Sequence, residues 1–151
     1  MTRSEGRELS LDAHSRIDWL RQKYGHVHPQ VHERLLAAGG DAAVMQPLGW
    51  FEAVFLARAV TSPGTARKTR GEQRECHRNA SRLFRKDPAR YRIVSGFALT
   101  WDHDGVGCWH PHTWVWDSKK TERIETTLPR DLYCGAELND SEAERFAAHY
   151  D

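Results

Sequence analysis

The stretch Cys108–Asp117, CWHPHTWVWD, decides how the rest of the chain is read. His110, His112, Trp114 and Trp116 alternate with Trp109, Thr113 and Val115, which is the two-residue period of a β-strand. His112 therefore shares a face with Trp114 and Trp116. On the N-terminal side, Tyr91–Trp101 (YRIVSGFALTW) is β-branched and aromatic, and Asp102–Gly107 (DHDGVG) supplies a turn. On the C-terminal side, Ser118-Lys119-Lys120 makes a second turn and Glu122–Thr127 a third strand.

Upstream of Pro88 the texture is helical. A residue preceding proline is pushed out of the helical region, so a helix from about Gln73 to Arg85 is expected to stop before Asp87-Pro88. It carries Cys76, Ala80, Leu83 and Phe84 on one face and Arg74, Arg78, Arg82 and Arg85 on the other. Thr61–Gly71 (TSPGTARKTRG) reads as an exposed loop. Three further helices are expected before it. One spans Leu11–Tyr24 and stops at Gly25. The next starts at Pro29 and ends at Gly39-Gly40, and the third runs from Trp50 to about Val60. Asp140–Tyr150, capped by Asp140 or Ser141 with Glu144 in its first turn, closes the chain as a short helix. The expected fold class is α+β: N-terminal helices, a helix opened by the cysteine, then an antiparallel β-sheet of three or more strands and a short C-terminal helix. All of it reads as one domain over 1–151, helical over 1–60 and built from the cysteine helix and sheet over 71–150.

With 151 residues, 39% apolar and 28% charged, the chain suits one soluble domain. No run approaches the roughly 20 apolar residues that span a bilayer. The N-terminal residues hold no apolar signal core. Three widely spaced cysteines with no CxxC pair read as free thiols, and the expected compartment is the cytoplasm. The net charge of +1 gives no general attraction to nucleic acid or membrane, but it is unevenly spread. Arg67 to Arg92 holds ten Lys/Arg against three acids, Glu72, Glu75 and Asp87.

The chemistry suggested by these elements centres on Cys76. A thiol in the first turn of a helix, beside a basic run, has its thiolate favoured by helix amides and nearby cations. His112 on the following sheet is placed to act as general base. In a hairpin turning near Lys119, Glu125 falls opposite a residue close to His112 and would hold the imidazole in one tautomer. Asp117 is on the other face of the strand and fits less well. The Cys76 amide, helped by Asn79 or Gln73, would hold an oxyanion. Trp114 would wall a substrate pocket, and Arg78 would meet an anionic group on the substrate.

Cys76-His77-Arg78-Asn79-Ala80, the strand with Val94-Ser95-Gly96-Phe97-Ala98, then His112-Thr113-Trp114 and Glu125-Thr126-Thr127 resemble the papain-like and transglutaminase-like cysteine proteins. In that group a cysteine opens a helix, the histidine follows from the sheet, and an acid or amide comes from the next strand. The likeness runs from Gly71 to Tyr150. It departs where Glu125 stands in place of the usual Asp or Asn, and in lacking a Gln at the usual distance before the cysteine. It implies an amide or acyl hydrolase, or an acyl transferase, working through a Cys76 acyl-enzyme. Such an enzyme needs no cofactor, and its partner is a small molecule or peptide with an amide, ester or thioester. No membrane or nucleic-acid partner is expected from it.

Two other readings stand beside this one. The Arg-rich segment 67–92 is either a solvated helix face or the anion- or RNA-binding surface of a non-catalytic module. Cys108, His110 and His112 form a Cys-x-His-x-His pattern, and with Cys76, His77 or Glu125 would hold zinc or iron in a metal-dependent enzyme. Cys108 and Cys134 otherwise read as structural, the tryptophans of the sheet as core, and His14, His26, His28, His32, His103 and His149 as solvated.

Overall fold

The computed structural model describes residues 8–64, 66–69 and 71–151. The first helix, α1 (Leu11–Tyr24), starts where the Ser10 hydroxyl accepts from the Ala13 amide. Proline at the first position opens α2 (Pro29–Ala38), and Gly39 ends it. Next come β1 (Ala42–Ala43), α3 (Phe51–Arg58), β2 (Val60–Pro63) and β3 (Arg67–Lys68). The cysteine helix is α4 (Cys76–Lys86). The sheet strands β4 (Tyr91–Trp101), β5 (Gly107–Asp117), β6 (Glu122–Glu125) and β7 (Leu132–Glu137) follow, and α5 (Asp140–Tyr150) closes the fold.

The class is α+β, but the sheet is not purely antiparallel. Its order is β2-β7-β4-β5-β6-β3, with β1 attached to β5. The pairs β1–β5 and β3–β6 are parallel. Both parallel strands are only two residues long and come from segments without strand periodicity. Thr61–Gly71 is correspondingly no plain loop. Its first residues continue β2 against β7, and Arg67-Lys68 lie along Ile124-Glu125. The third helix stops at Arg58 because Val60 already belongs to β2. β7 was not anticipated either. Asn139, rather than Asp140 or Ser141, caps α5, in a reciprocal box with Glu142 rather than Glu144.

The helices pack on one face of the sheet. Val31, Leu35, Phe55, Phe97, Leu99, Trp109 and Cys134 form the largest buried cluster, and Ala80 of α4 meets Val115 and Ile124. The opposite face curls inward on itself. Arg123 of β6 reaches across to donate to the Pro63 carbonyl of β2 at 2.7 Å and to Ser62, and its guanidinium lies 3.9 Å over the Tyr133 ring. Trp114, Tyr133 and Glu125 fill the inside of that curl. Gly96 and Gly135 make the curvature possible. A Cβ on Gly96 would sit 2.2 Å from the Cys134 carbonyl oxygen, and one on Gly135 would meet the Trp114 ring at 2.5 Å.

One irregularity lies beside the candidate site residues. On one side β5 pairs with β4 along its whole length. On the other, β1 covers only Cys108 and Trp109, and β6 covers only Val115 to Asp117. Among the described residues, no strand pairs with 110–114 on that side.

His32 is buried and His28 pairs with Glu52, so these two are not the solvated histidines expected. Among the described residues, no helix is long and apolar enough to cross a membrane.

Candidate active site

Cys76 is the first residue of α4 and half-buried. The approach to it is sharply bent, with Arg74 at φ 64 in the left-handed region and Glu75 at φ −117 and ψ 37. The helix was expected to begin near Gln73, and this bend delays it to the cysteine. Glu75 makes no side-chain cap, and the first turn contains no acid. The leading amides of α4 are therefore not occupied by a capping side chain, and they form a ready anion site.

The Asn79 side chain is committed elsewhere. Its Nδ2 donates to the Glu72 carbonyl at 2.8 Å, and its Oδ1 accepts from the Glu72 amide at 3.3 Å. Asn79 thus ties the loop before Cys76 to the helix, which corrects its expected place as an oxyanion donor. Gln73 lies exposed in the preceding turn. Arg78 is half-buried.

His112 and Glu125 meet inside the curl. His112 Nε2 lies 2.7 Å from Glu125 Oε1, with the two side chains 3% and 0% exposed. The same Oε1 accepts from the Tyr133 hydroxyl at 2.7 Å, and Oε2 accepts from the Thr127 amide at 3.1 Å and hydroxyl at 3.2 Å. Burial opposes the charge on Glu125, yet these bonds and the nearby imidazole hold its pKa below the ordinary value. Burial and the Glu125 charge push the Tyr133 phenol up, keeping it a donor.

With Nε2 engaged by Glu125, the other ring nitrogen of His112 remains for a second partner, and Cys76 lies near enough to the ring to influence its charge. Burial works against the imidazolium, but the influence of nearby Cys76 and of Glu125 outweighs it and raises the His112 pKa. The two reactive groups start from opposite faces of β5. Thr113, which faces α4, bonds His77, whereas His112 points into the curl.

Trp114 stacks on His112, ring centres 5.9 Å apart at 30°, and meets Tyr133 edge-on at 4.8 Å. At 4% exposure it belongs to the core behind the imidazole, not to an open pocket wall.

A second polar chain lies on the helix side. His77 Nδ1 is 2.6 Å from the Thr113 hydroxyl, which is 2.7 Å from the Ser95 hydroxyl. Its ring packs on Tyr150 at 4.4 Å and on Phe146 at 5.5 Å. Burial, with the neighbouring histidines His112 and His149, lowers the His77 pKa to about 4, so the ring is neutral at neutral pH. The sequence motif includes His77 and Thr127 without giving either a role in the site beyond His77 as a metal ligand, and it leaves Tyr133 out. The run LYCGAE, 132–137, has the strand composition that would have brought Tyr133 to the sheet.

The other thiols are placed differently. Cys134 is core, while burial pushes Cys108 up to about 11 and its thiol donates to the Trp109 carbonyl at 3.7 Å. His110 is exposed on the far side of Pro111. Among the described residues, no three His, Cys, Asp or Glu side chains gather as metal ligands.

Much of the basic run is neutralised internally. Arg67 and Arg90 share the buried Asp117, and Arg67 also meets Glu122. Arg82 and Arg85 pair with Asp151, and Arg92 with Asp140.

Comparison of the chain with family models, with characterised proteins and with solved structures finds no match.

Proposed function

We propose that the protein is a cysteine-nucleophile hydrolase or acyl transferase, built in the manner of the papain-like and transglutaminase-like proteins. The observation that carries this reading is the buried 2.7 Å bond between His112 Nε2 and Glu125, with Cys76 near enough to help raise the His112 pKa. The bonded base and orienter, with a thiol close by at the start of α4, support an acyl-transfer arrangement.

In this reading His112 takes the Cys76 proton, and the thiolate attacks the carbonyl carbon of an amide, ester or thioester. The oxyanion falls at the leading amides of α4. The C–N, C–O or C–S bond breaks as His112 returns the proton to the leaving group, and the acyl group stays on Cys76 as a thioester. Water or an acceptor, deprotonated by His112, then releases the acyl group and restores the thiol. Glu125 keeps the ring oriented and stabilises the imidazolium throughout.

The anion-binding reading has less support, because Arg67, Arg82, Arg85, Arg90 and Arg92 already have carboxylate partners. The metal reading has less support because its ligands do not cluster among the described residues.

The test combines a generic acyl donor, p-nitrophenyl acetate, with mass spectrometry of the protein. An acetyl adduct on Cys76 that is absent in Cys76→Ala and strongly slowed in His112→Ala is expected. Acylation that proceeds equally in His112→Ala would refute the reading.

A further inference from the structure

A cleft of about 710 Å³ opens beside the relay on the helix side of the sheet. Cys76, His112 and Glu125 do not themselves line it, but three neighbours of Cys76 and His112 do. His77, next to Cys76, lines it. Gly96, which pairs with His112, and Pro111, which precedes it, also line it. The cleft therefore lies next to the candidate residues, with its bulk between α5 and the segment leading into α3.

Its lining has a definite chemistry. Trp50, Phe146 and Tyr150 give it aromatic walls, and among the described residues no Asp or Glu lines it. Arg145 is its one Lys or Arg among the described residues. That guanidinium lies 4.8 Å over the Trp50 ring, so a flat apolar surface and a fixed positive charge sit side by side. His77 does not compete for an anion, because burial keeps it neutral. A ligand that fills such a site presents an aromatic ring and a carboxylate only a few bonds apart. An α-amino acid carries both on one carbon.

Resting on the acyl-transfer reading above, we infer that the cleft binds the leaving side of the substrate, an amide of an aromatic amino acid whose own carboxylate is free. The ring packs against Trp50 and Tyr150, and the carboxylate pairs with Arg145. The Cys76 thiolate attacks the acyl carbon, the C–N bond breaks, and the amino acid departs as the amine with the proton supplied by His112.

Three alkylating probes test this without a known substrate: N-chloroacetylphenylalanine, N-chloroacetylphenylalaninamide and chloroacetamide. In each the Cys76 thiolate displaces chloride to form a thioether, and peptide mass mapping separates Cys76 from Cys108 and Cys134. The expected order of rates is acid, then amide, then chloroacetamide, with about tenfold between the first and last. Arg145→Gln brings the acid down to the rate of the amide, while Lys119→Gln, in the distant β5–β6 turn, preserves the ratio. Trp50 also packs against the α4–α5 core, so the unaltered protein supplies an independent measurement. N-Acetylphenylalanine protects Cys76 from chloroacetamide better than N-acetylphenylalaninamide does. Equal rates for all three probes and no protection overturn the assignment of the cleft, even if alkylation still depends on His112. If His112→Ala leaves Cys76 alkylation unchanged, the acyl-transfer reading fails as well.

Discussion

Glu125 accepts from His112 at 2.7 Å while every other acceptor position of its carboxylate that is in use is also bonded inside the protein, to Tyr133 and Thr127. A carboxylate held in this way has no freedom to follow the imidazole, so the ring must hold its orientation. Glu125→Gln keeps the shape but replaces one acceptor oxygen by a donor that faces His112 or Tyr133. Acyl transfer is expected to fall on the order of a hundredfold. In an NMR titration the His112 pKa should drop toward or below its ordinary value, a shift that a merely structural loss would not produce. Tyr133→Phe leaves the other bonds in place and should cost about 1.5–3 kcal/mol in urea unfolding.

The histidines near the site respond oppositely to acid. His77 has a lowered pKa of about 4, against an ordinary 6.5, so the unfolded chain binds its proton first. Its neutral form stabilises the fold above about pH 6.5, and that stability is lost as pH falls toward 4. His112, with a raised pKa, contributes fully below 6.5 and loses its contribution as pH rises through its folded value. Glu125, with a lowered pKa, contributes fully above about 4.5 and loses it below. In the interval between 6.5 and 4.5 the decline therefore comes from His77, with lesser parts from His32 and His110, whose pKa values are also lowered. Urea midpoints measured for the unaltered protein and for His77→Gln should converge as pH falls through this interval. Parallel curves would show that His77 is not the group responsible.

Asn79 distinguishes a loop tie from a chemical donor. As a tie to Glu72 it should cost about 1–2 kcal/mol of stability when changed to alanine. Alkylation of Cys76 should slow as the entry to α4 loosens. A donor to the oxyanion would instead leave stability nearly unchanged and affect only acyl transfer.

Two glycines should respond very differently to alanine. At Gly96 the added methyl would lie 2.2 Å from a backbone oxygen of β7 and 2.6 Å from the Gly135 Cα, neither of which can swing aside. Gly96→Ala should cost more than about 3 kcal/mol or prevent folding. Gly49 has φ 57 but nothing within 4 Å of a new Cβ. Gly49→Ala should cost only about 1–2 kcal/mol, the price of a left-handed residue. Thermal unfolding of the two variants gives the comparison.

The parts legible in the sequence are those with strong local patterns. The alternation around His112 located β5, and the DHDGVG and SKK turns fixed the neighbours of β4 and β6, which placed Glu125 near His112 without coordinates. Pro88 correctly ended the cysteine helix. Beside β2 and β7, what escaped were β1 and β3, two-residue strands whose pairing depends on distant partners and leaves no periodicity. Asn79 was misread because its hydrogen bonds run to backbone groups of Glu72, and side-chain identity does not reveal such a partner. Trp114 was taken for a pocket wall because alternation tells which face a residue occupies. It does not tell whether that face curls closed, and here Arg123 reaching Pro63 helps close it.

The interrupted pairing of β5 also bears on how the molecule behaves toward its own copies. An open strand edge invites another chain to add itself, and proteins usually blunt such edges with charge, proline or short length. Here the open interval is only residues 110–114, includes Pro111, and is bounded at one end by β1 and at the other by β6. An incoming strand finds too few free groups to pair with and a neighbour in its way at either end. The open interval beside His112 is thus too short to seed aggregation.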